Sequence, residues 1–211
     1  AFGSQIFVWQ QIIIAVALMS IIIGAVGAIG QQNLKRLMAY SSINNVGFIL
    51  IGLATGTEQG IAAMLVYLTI YVAMTLGSFV CLMQLKGKDG GYREEFADIS
   101  GLSKTRPALA AAFAIFMFSL AGIPPLFGFW GKLVVFNAAV AAGLLPLAVI
   151  GIAASAIGAF YYLKVVVAMF QPAGREAVQL AFKPGQSLVL GLVLVLAVVL
   201  GLVPALITSL I

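Results

Sequence analysis

The sequence predicts an all-α integral membrane protein with six transmembrane helices, one of them interrupted. Three observations lead there. Hydrophobic residues make up 63% of the 211 and charged residues 8%, with a mean hydropathy of +1.17, whereas a soluble domain is roughly half apolar and a quarter charged. Six apolar stretches each supply the about 20 residues needed to cross a roughly 30 Å hydrocarbon core. The fourth of these contains adjacent prolines, Pro124 and Pro125, with Lys132 shortly after them. The chain reads as a single membrane domain over residues 1–211 with no soluble domain.

Taken in order, the first stretch spans residues 7–30 and ends in GAVGAIG, a run of small residues suited to close helix packing. The second, 37–55, carries Ser41, Asn44 and Asn45 at i, i+3 and i+4, with Tyr40 four residues before Asn44, so one face is polar. The third, 60–85, repeats Tyr67, Tyr71 and Thr75 every four residues and adds Ser78. Such stripes have two readings: an interhelical hydrogen-bonding seam, or a file of hydroxyls and amides that holds water and forms a proton path. Residues 86–106 are the one substantial polar connection, where Phe96, Ile99 and Leu102 predict a short amphipathic surface helix. The fourth stretch, 107–142, would measure about 54 Å as one straight helix, far longer than the membrane core, and is predicted to break at 122–125. A turn around Gly143 to Pro146 leads to the fifth, 146–170, which contains the small-residue run AASAIGA and Lys164; the sixth covers 186–210.

The net charge of +5 and pI near 9.5 do not indicate nucleic acid, because the cations fall in short clusters between apolar runs. Lys35 and Arg36 lie in the first link, Lys86, Lys88, Arg93, Lys104 and Arg106 in the third, and Arg175 and Lys183 in the fifth, while the second and fourth links carry none. With six crossings the odd links share a face, which the positive-inside rule assigns to the cytoplasm of a bacterium or the matrix of a mitochondrion. One cysteine, Cys81, and no histidine exclude a disulfide framework, a Cys/His metal site and protein-ligated haem or iron–sulfur centres, so the expectation is no cofactor in this chain. The first residues, AFGSQ, begin with Ala1 and lack the basic segment of a signal peptide, and the chain reads as part of something longer.

Lys132 and Lys164 escape the link pattern. A lysine near the bilayer centre costs about 2.5 to 3.5 kcal/mol on insertion scales. Pro124 and Pro125 have no amide proton, so the carbonyls of Leu120 and Ala121 lose their helical partners, and carbonyls freed inside lipid need water or protein. An interrupted helix that places backbone dipoles and an ionisable group at a polar cavity is a transporter device. The other reading makes Lys132 an interfacial anchor that snorkels beside Phe129 and Trp130. Lys164, six residues before the end of its stretch, is read as a snorkeller at the basic face.

The runs NLKRLMAYSSINNVGFILIGL (33–53), GLSKTRPALAAAFAIFMFSLAGIPPLFGFWGKLVVF (101–136) and AIGAFYYLKVV (156–166) resemble the antiporter-like membrane subunits of NADH–quinone oxidoreductase, respiratory complex I. The likeness is to the N-type subunits of bacteria, called subunit 2 in mitochondria, and lysine after GF-G separates them from M-type relatives. That family has fourteen transmembrane helices containing two inverted five-helix repeats, so the resemblance implies that this chain is the second repeat plus the final helix. By the same resemblance Lys132 is the lysine of the second interrupted helix, near the proton exit side, and performs proton transfer beside the break at Pro124 and Pro125. Tyr67 and Tyr71 stand where L-type relatives carry histidines. Together with Lys164, Ser41 and Asn44 they are candidates for a hydrated path. The implied activity is that of a non-redox subunit of a translocase, in which quinone reduction elsewhere drives proton transfer here. Its partners would be lipid and other membrane subunits, including the N-terminal helices of the family pattern, in a bacterial inner or mitochondrial inner membrane. A subunit of a multi-subunit cation/proton antiporter is the alternative within the family, and a passive assembly scaffold the alternative of another class.

Overall fold

In the computed structural model, residues 6–87, 89–172, 184–203 and 205 are described. Lys88, Arg175 and Lys183, and the end of the sixth apolar stretch beyond residue 205, lie outside the described residues. The elements run α1 (Ile6–Ile29), α2 (Leu34–Ala54), α3 (Glu58–Met83), the single turns α4 (Phe96–Ile99) and α5 (Leu102–Thr105), then α6 (Pro107–Ala121), α7 (Phe127–Ala141), α8 (Leu145–Phe170) and α9 (Pro184–Leu202). Among the described residues five helices, α1, α2, α3, α8 and α9, are long and apolar enough to cross a membrane, and α6 and α7 are shorter apolar helices.

The helices begin and end where local chemistry dictates. Asn33 caps α2 by accepting from the Arg36 amide at 3.0 Å, and Thr57 caps α3 by accepting from the Gly60 amide at 3.0 Å. Both satisfy backbone donors that a helix start leaves open. Pro107 opens α6, where its missing amide costs nothing. On α1 the buried residues Ala17, Ile21, Gly24, Ala25 and Ala28 form one stripe of mostly small side chains against α2. The approach is close: a Cβ at Gly47 of α2 would lie 2.6 Å from Ile21 Cγ1 and 2.9 Å from the Ala17 carbonyl. Apolar residues on the outer faces of α1, α8 and α9, among them Phe7, Phe160 and Leu188, are left exposed, as surfaces facing lipid or a neighbouring subunit are.

The connection between α3 and α6 folds back over one end of the bundle. Arg93 donates to the Leu85 carbonyl at 2.7 Å and Gly87 to the Gly91 carbonyl at 2.9 Å, closing a tight loop through Gly90, whose φ of +76° favours glycine. The predicted amphipathic helix is instead two separate turns, because Ser100 is extended and Gly101 takes φ +79°; Ile99 and Leu102 are nonetheless buried. Leu34 donates to the Glu94 carbonyl at 2.6 Å and Phe96 to the Gln32 carbonyl at 3.2 Å, so this connection clamps the start of α2. Gln84 reaches Gln186 of α9 at 3.1 Å and Lys164 reaches the Gln31 carbonyl at 3.2 Å. The described link cations Lys35, Arg36, Lys86, Arg93, Lys104 and Arg106 therefore gather at one end of the bundle.

Glu94 closes the clamp by accepting from Lys35 at 2.5 Å and from Asn33 at 3.2 Å. Its carboxyl is held below the usual carboxylate range, first by the hydrogen bond from Lys35 and then by that from Asn33. A carboxylate whose folded-state pKa is depressed stabilises the fold above its ordinary pKa, and the contribution is lost as pH falls through the folded value. Below the ordinary carboxylate range the Leu34 amide is expected to lose protection relative to its intrinsic exchange rate, and Glu94→Gln should show that reduced protection already at pH 7. The effect on global stability should be small, since the pair is still substantially open to solvent, which screens it.

Candidate functional site

The site is built around the gap between α6 and α7. The helix α6 ends at Gly122, whose φ of +83° is left-handed. Gly122 donates to the Ser119 carbonyl at 3.0 Å and Ile123 to the Phe118 carbonyl at 3.1 Å, the paired bonds of a Schellman ending. That ending satisfies Phe118 and Ser119 and leaves Leu120 and Ala121. Pro124 and Pro125 follow, joined by a cis peptide bond, and neither can donate. Leu126 donates to the Ile123 carbonyl at 3.1 Å and α7 starts one residue later. Ser119 ties the two halves together: its hydroxyl accepts from the Gly128 amide at 3.0 Å and donates to Met74 Sδ of α3 at 2.8 Å.

The two open carbonyls are met by a side chain from α7. Lys132 Nζ donates to the Leu120 carbonyl at 2.9 Å, to the Ala121 carbonyl at 3.2 Å and to Ser155 Oγ of α8 at 2.9 Å. An ammonium has three donors, and three acceptors surround this one. Lys132 is only 6% exposed, and its nitrogen lies 5.2 Å from the Phe48 ring centroid on α2. Among the described residues it forms no ion pair. Its charge is balanced by dipoles: two carbonyls at the C-terminal, negative end of α6 and one hydroxyl. Of the neighbouring aromatics, Trp130 Nε1 donates to the Gly201 carbonyl of α9 at 2.9 Å and Phe129 packs edge-on against Trp130. A cavity of about 450 Å³, lined by Lys132, Ser155, Asn137, Phe129, Phe136 and Ile152 among others, opens beside the ammonium.

A second polar cluster lies close by. Asn45 is its centre: it accepts from Tyr67 Oη at 2.6 Å and donates to Tyr162 Oη at 3.0 Å and to the Ser41 carbonyl at 2.8 Å. Ser41 and Tyr162 are hydrogen-bonded through their hydroxyls. Asn44 donates to Tyr161 Oη at 2.9 Å, and its carbonyl oxygen, though buried, has no partner among the described residues. The cluster and Lys132 are brought together by Gly131: a Cβ there would lie 2.6 Å from Tyr67 Cδ2, so only glycine lets α7 press against this part of α3.

The candidates named from the sequence divide accordingly. Lys132, Pro124 and Pro125 form the break site, while Ser41, Asn44 and Tyr67 belong to the polar cluster. Tyr71 is buried on α3 but makes no hydrogen bond among the described residues. Lys164 lies apart from both, its ammonium on the Gln31 carbonyl at 3.2 Å and 4.7 Å from the Phe96 ring centroid. Three further residues, Ser155, Tyr161 and Tyr162, join these sites from α8. Ser155 is the lone hydroxyl of AASAIGA and stands seven residues, two turns, before Tyr162 on one face of α8; that spacing was the available signal.

Residues 2–158 match the family described as NADH:quinone oxidoreductase/Mrp antiporter, TM. The chain is 60% identical over 185 residues to NADH-quinone oxidoreductase subunit N of Rhizorhabdus wittichii, covering 87% of this chain and 38% of that protein. To the subunit N of Erythrobacter litoralis it is 67% identical over 169 residues, covering 80% and 35%. It thus spans well under half the length of these relatives. In three dimensions it resembles a chain of respiratory complex I from Thermus thermophilus with bound Aureothin, with a TM-score of 0.82 and 34% identity over 93% of this chain and 44% of that one. It shares its fold with a chain of the Mrp complex from Dietzia sp., with a TM-score of 0.81 and 24% identity over 96% and 46% of the two chains. The match over residues 2–158 and the identities of 60% and 67% to subunit N relatives show that the chain belongs to the NADH:quinone oxidoreductase/Mrp antiporter transmembrane family.

Proposed function

We propose that the chain is the proton-transferring second half of an N-type membrane subunit of NADH–quinone oxidoreductase, with Lys132 as its protonatable group. In this reading α6 and α7 together make one interrupted crossing, giving six crossings that correspond to the second inverted repeat and the final helix. At about 1.5 Å per residue each fifteen-residue piece is about 22 Å long, too short to cross alone. The end that gathers the link cations faces the cytoplasm, and the protein sits in a bacterial inner membrane with the other subunits of its complex. Redox chemistry takes place elsewhere in that complex.

The observation that carries the reading is the environment of Lys132: a buried ammonium held by two helix-end carbonyls and one hydroxyl, with no carboxylate partner among the described residues. A buried ion pair resists losing one charge, since the other is then stranded. Neutral dipoles impose no such lock. When the proton leaves, the Leu120 and Ala121 carbonyls have fewer donors, and the adjoining cavity is wide enough to bring water to them. Proton occupancy and local hydration then change together, as a group loaded and unloaded from two sides requires. The identities of 60% and 67% to N-type subunits favour the oxidoreductase over a cation/proton antiporter complex.

The test is the number of protons translocated per NADH oxidised by the assembled complex in sealed vesicles. Ser155→Ala removes one of three acceptors, worth about 1.5–3 kcal/mol for a bond to a charged group, so coupled turnover should fall by about tenfold or more. Ser155→Thr, which keeps the hydroxyl, should restore it. Assembled complex that pumps normally with both Ser155 and Lys132 replaced would leave the chain a passive scaffold.

A further inference from the structure

We propose that the basic end of α8 carries a binding site for one anionic phospholipid, its phosphate at Lys164 and an acyl chain along the outer face of the helix. A cavity of about 560 Å³ lies between α8 and the α4 turn, lined by none of the residues that line the cavity at the break site. Its rim is polar, formed by Gln32, Ser100 and Gln171, and its helix wall is apolar, formed by Phe160, Leu163 and Val167. Residues 160, 163, 164, 167 and 171 follow helical spacing, so lysine and apolar side chains share one stripe of α8. Phe160, Leu163 and Val167 are exposed, and Ile157, one turn further from the basic end, continues the exposed surface.

The charge balance at this site calls for an anion. Lys164 is half-buried, bonds the Gln31 carbonyl at 3.2 Å and covers the Phe96 ring, which leaves ammonium donors free for a further acceptor. Among the described residues it forms no ion pair. The four described acids of the neighbouring connection are engaged: Glu94 with Lys35, Asp89 with Arg93, and Glu95 and Asp98 each with the other's backbone amide. A small hydrophilic anion would leave the apolar stripe uncovered, whereas a phospholipid matches both parts, headgroup at the polar rim and chain on Phe160 and Ile157. The site also stands at the end where the link cations gather, the depth at which headgroups meet a basic pocket between transmembrane helices.

The intact membrane assembly, extracted and placed in nanodiscs, would be exposed to photoactivatable phosphatidylglycerol or phosphatidylcholine carrying the reactive group in the acyl chain, and labelled peptides identified by mass spectrometry. The expected result is labelling of residues 157–167 about fivefold stronger with phosphatidylglycerol, the ratio corresponding to about 1 kcal/mol per surface lysine. Lys164→Gln should abolish the preference and Lys164→Arg retain it. Equal labelling by the two lipids, a preference that survives Lys164→Gln, or loss of labelling in millimolar inorganic phosphate would overturn the proposal, the last because it indicates a free-anion site. Cross-linking of this face to another protein chain without any lipid label would do so as well.

Discussion

Lys132→Met is expected to abolish proton translocation in assembled complex. Methionine fills most of the same space but carries no proton, so a path through this position is cut. The structural cost is not zero, because Lys132 is itself the donor to the Leu120 and Ala121 carbonyls. A buried acceptor left unpaired costs about 1–3 kcal/mol, partly offset because a desolvated charge is removed as well. A lowered melting temperature with intact assembly is therefore the expected accompaniment. Lys132→Arg separates the two effects. Guanidinium can donate to the same carbonyls yet does not release its proton at accessible pH, so stability should hold while pumping fails. Protons pumped per NADH oxidised in reconstituted vesicles, with assembly followed by native electrophoresis, is the measurement; normal pumping in both variants would make Lys132 an anchor.

The second large effect is expected at Asn45. Its side chain joins α2 to Tyr67 of α3 and Tyr162 of α8, and all three residues are at most 1% exposed. Asn45→Leu removes an acceptor and a donor at once and strands the Tyr67 hydroxyl in an apolar setting. Polar contacts between membrane helices are worth about 0.6 kcal/mol on average and up to about 1.7, while a stranded buried group costs about 1–3 kcal/mol. A destabilisation of about 1–3 kcal/mol should therefore appear as a lower thermal midpoint of the purified complex. The same experiment separates the two readings of the polar stripe. A dry seam loses stability on this change, whereas a hydrated path supplies water to the tyrosines and leaves the midpoint unmoved.

Much of the architecture follows from neighbours within one turn, which is why the sequence by itself determined it. Apolar length places the helices and the start of α6 at Pro107, while α2 and α3 begin a few residues before their apolar stretches, at Leu34 and Glu58, where Asn33 and Thr57 cap them. Gly122, Pro124 and Pro125 end α6, because a left-handed glycine and two residues without amides cannot continue a helix. The clustering of cations in alternate links likewise needs no tertiary information to be seen. Periodicity identifies a polar face but not its partner, and there the legibility stops. Tyr67 and Tyr71 are the same residue type one turn apart on α3, yet only Tyr67 meets Asn45, a choice made by how α2 and α3 pack. That the open carbonyls would be met by Lys132, eleven and twelve residues downstream, with Ser155 completing the shell from another helix, was settled only when α6, α7 and α8 packed. Backbone geometry fixes which groups lose their local partners; the approach of the helices, set by small residues and side-chain volume, selects what replaces them.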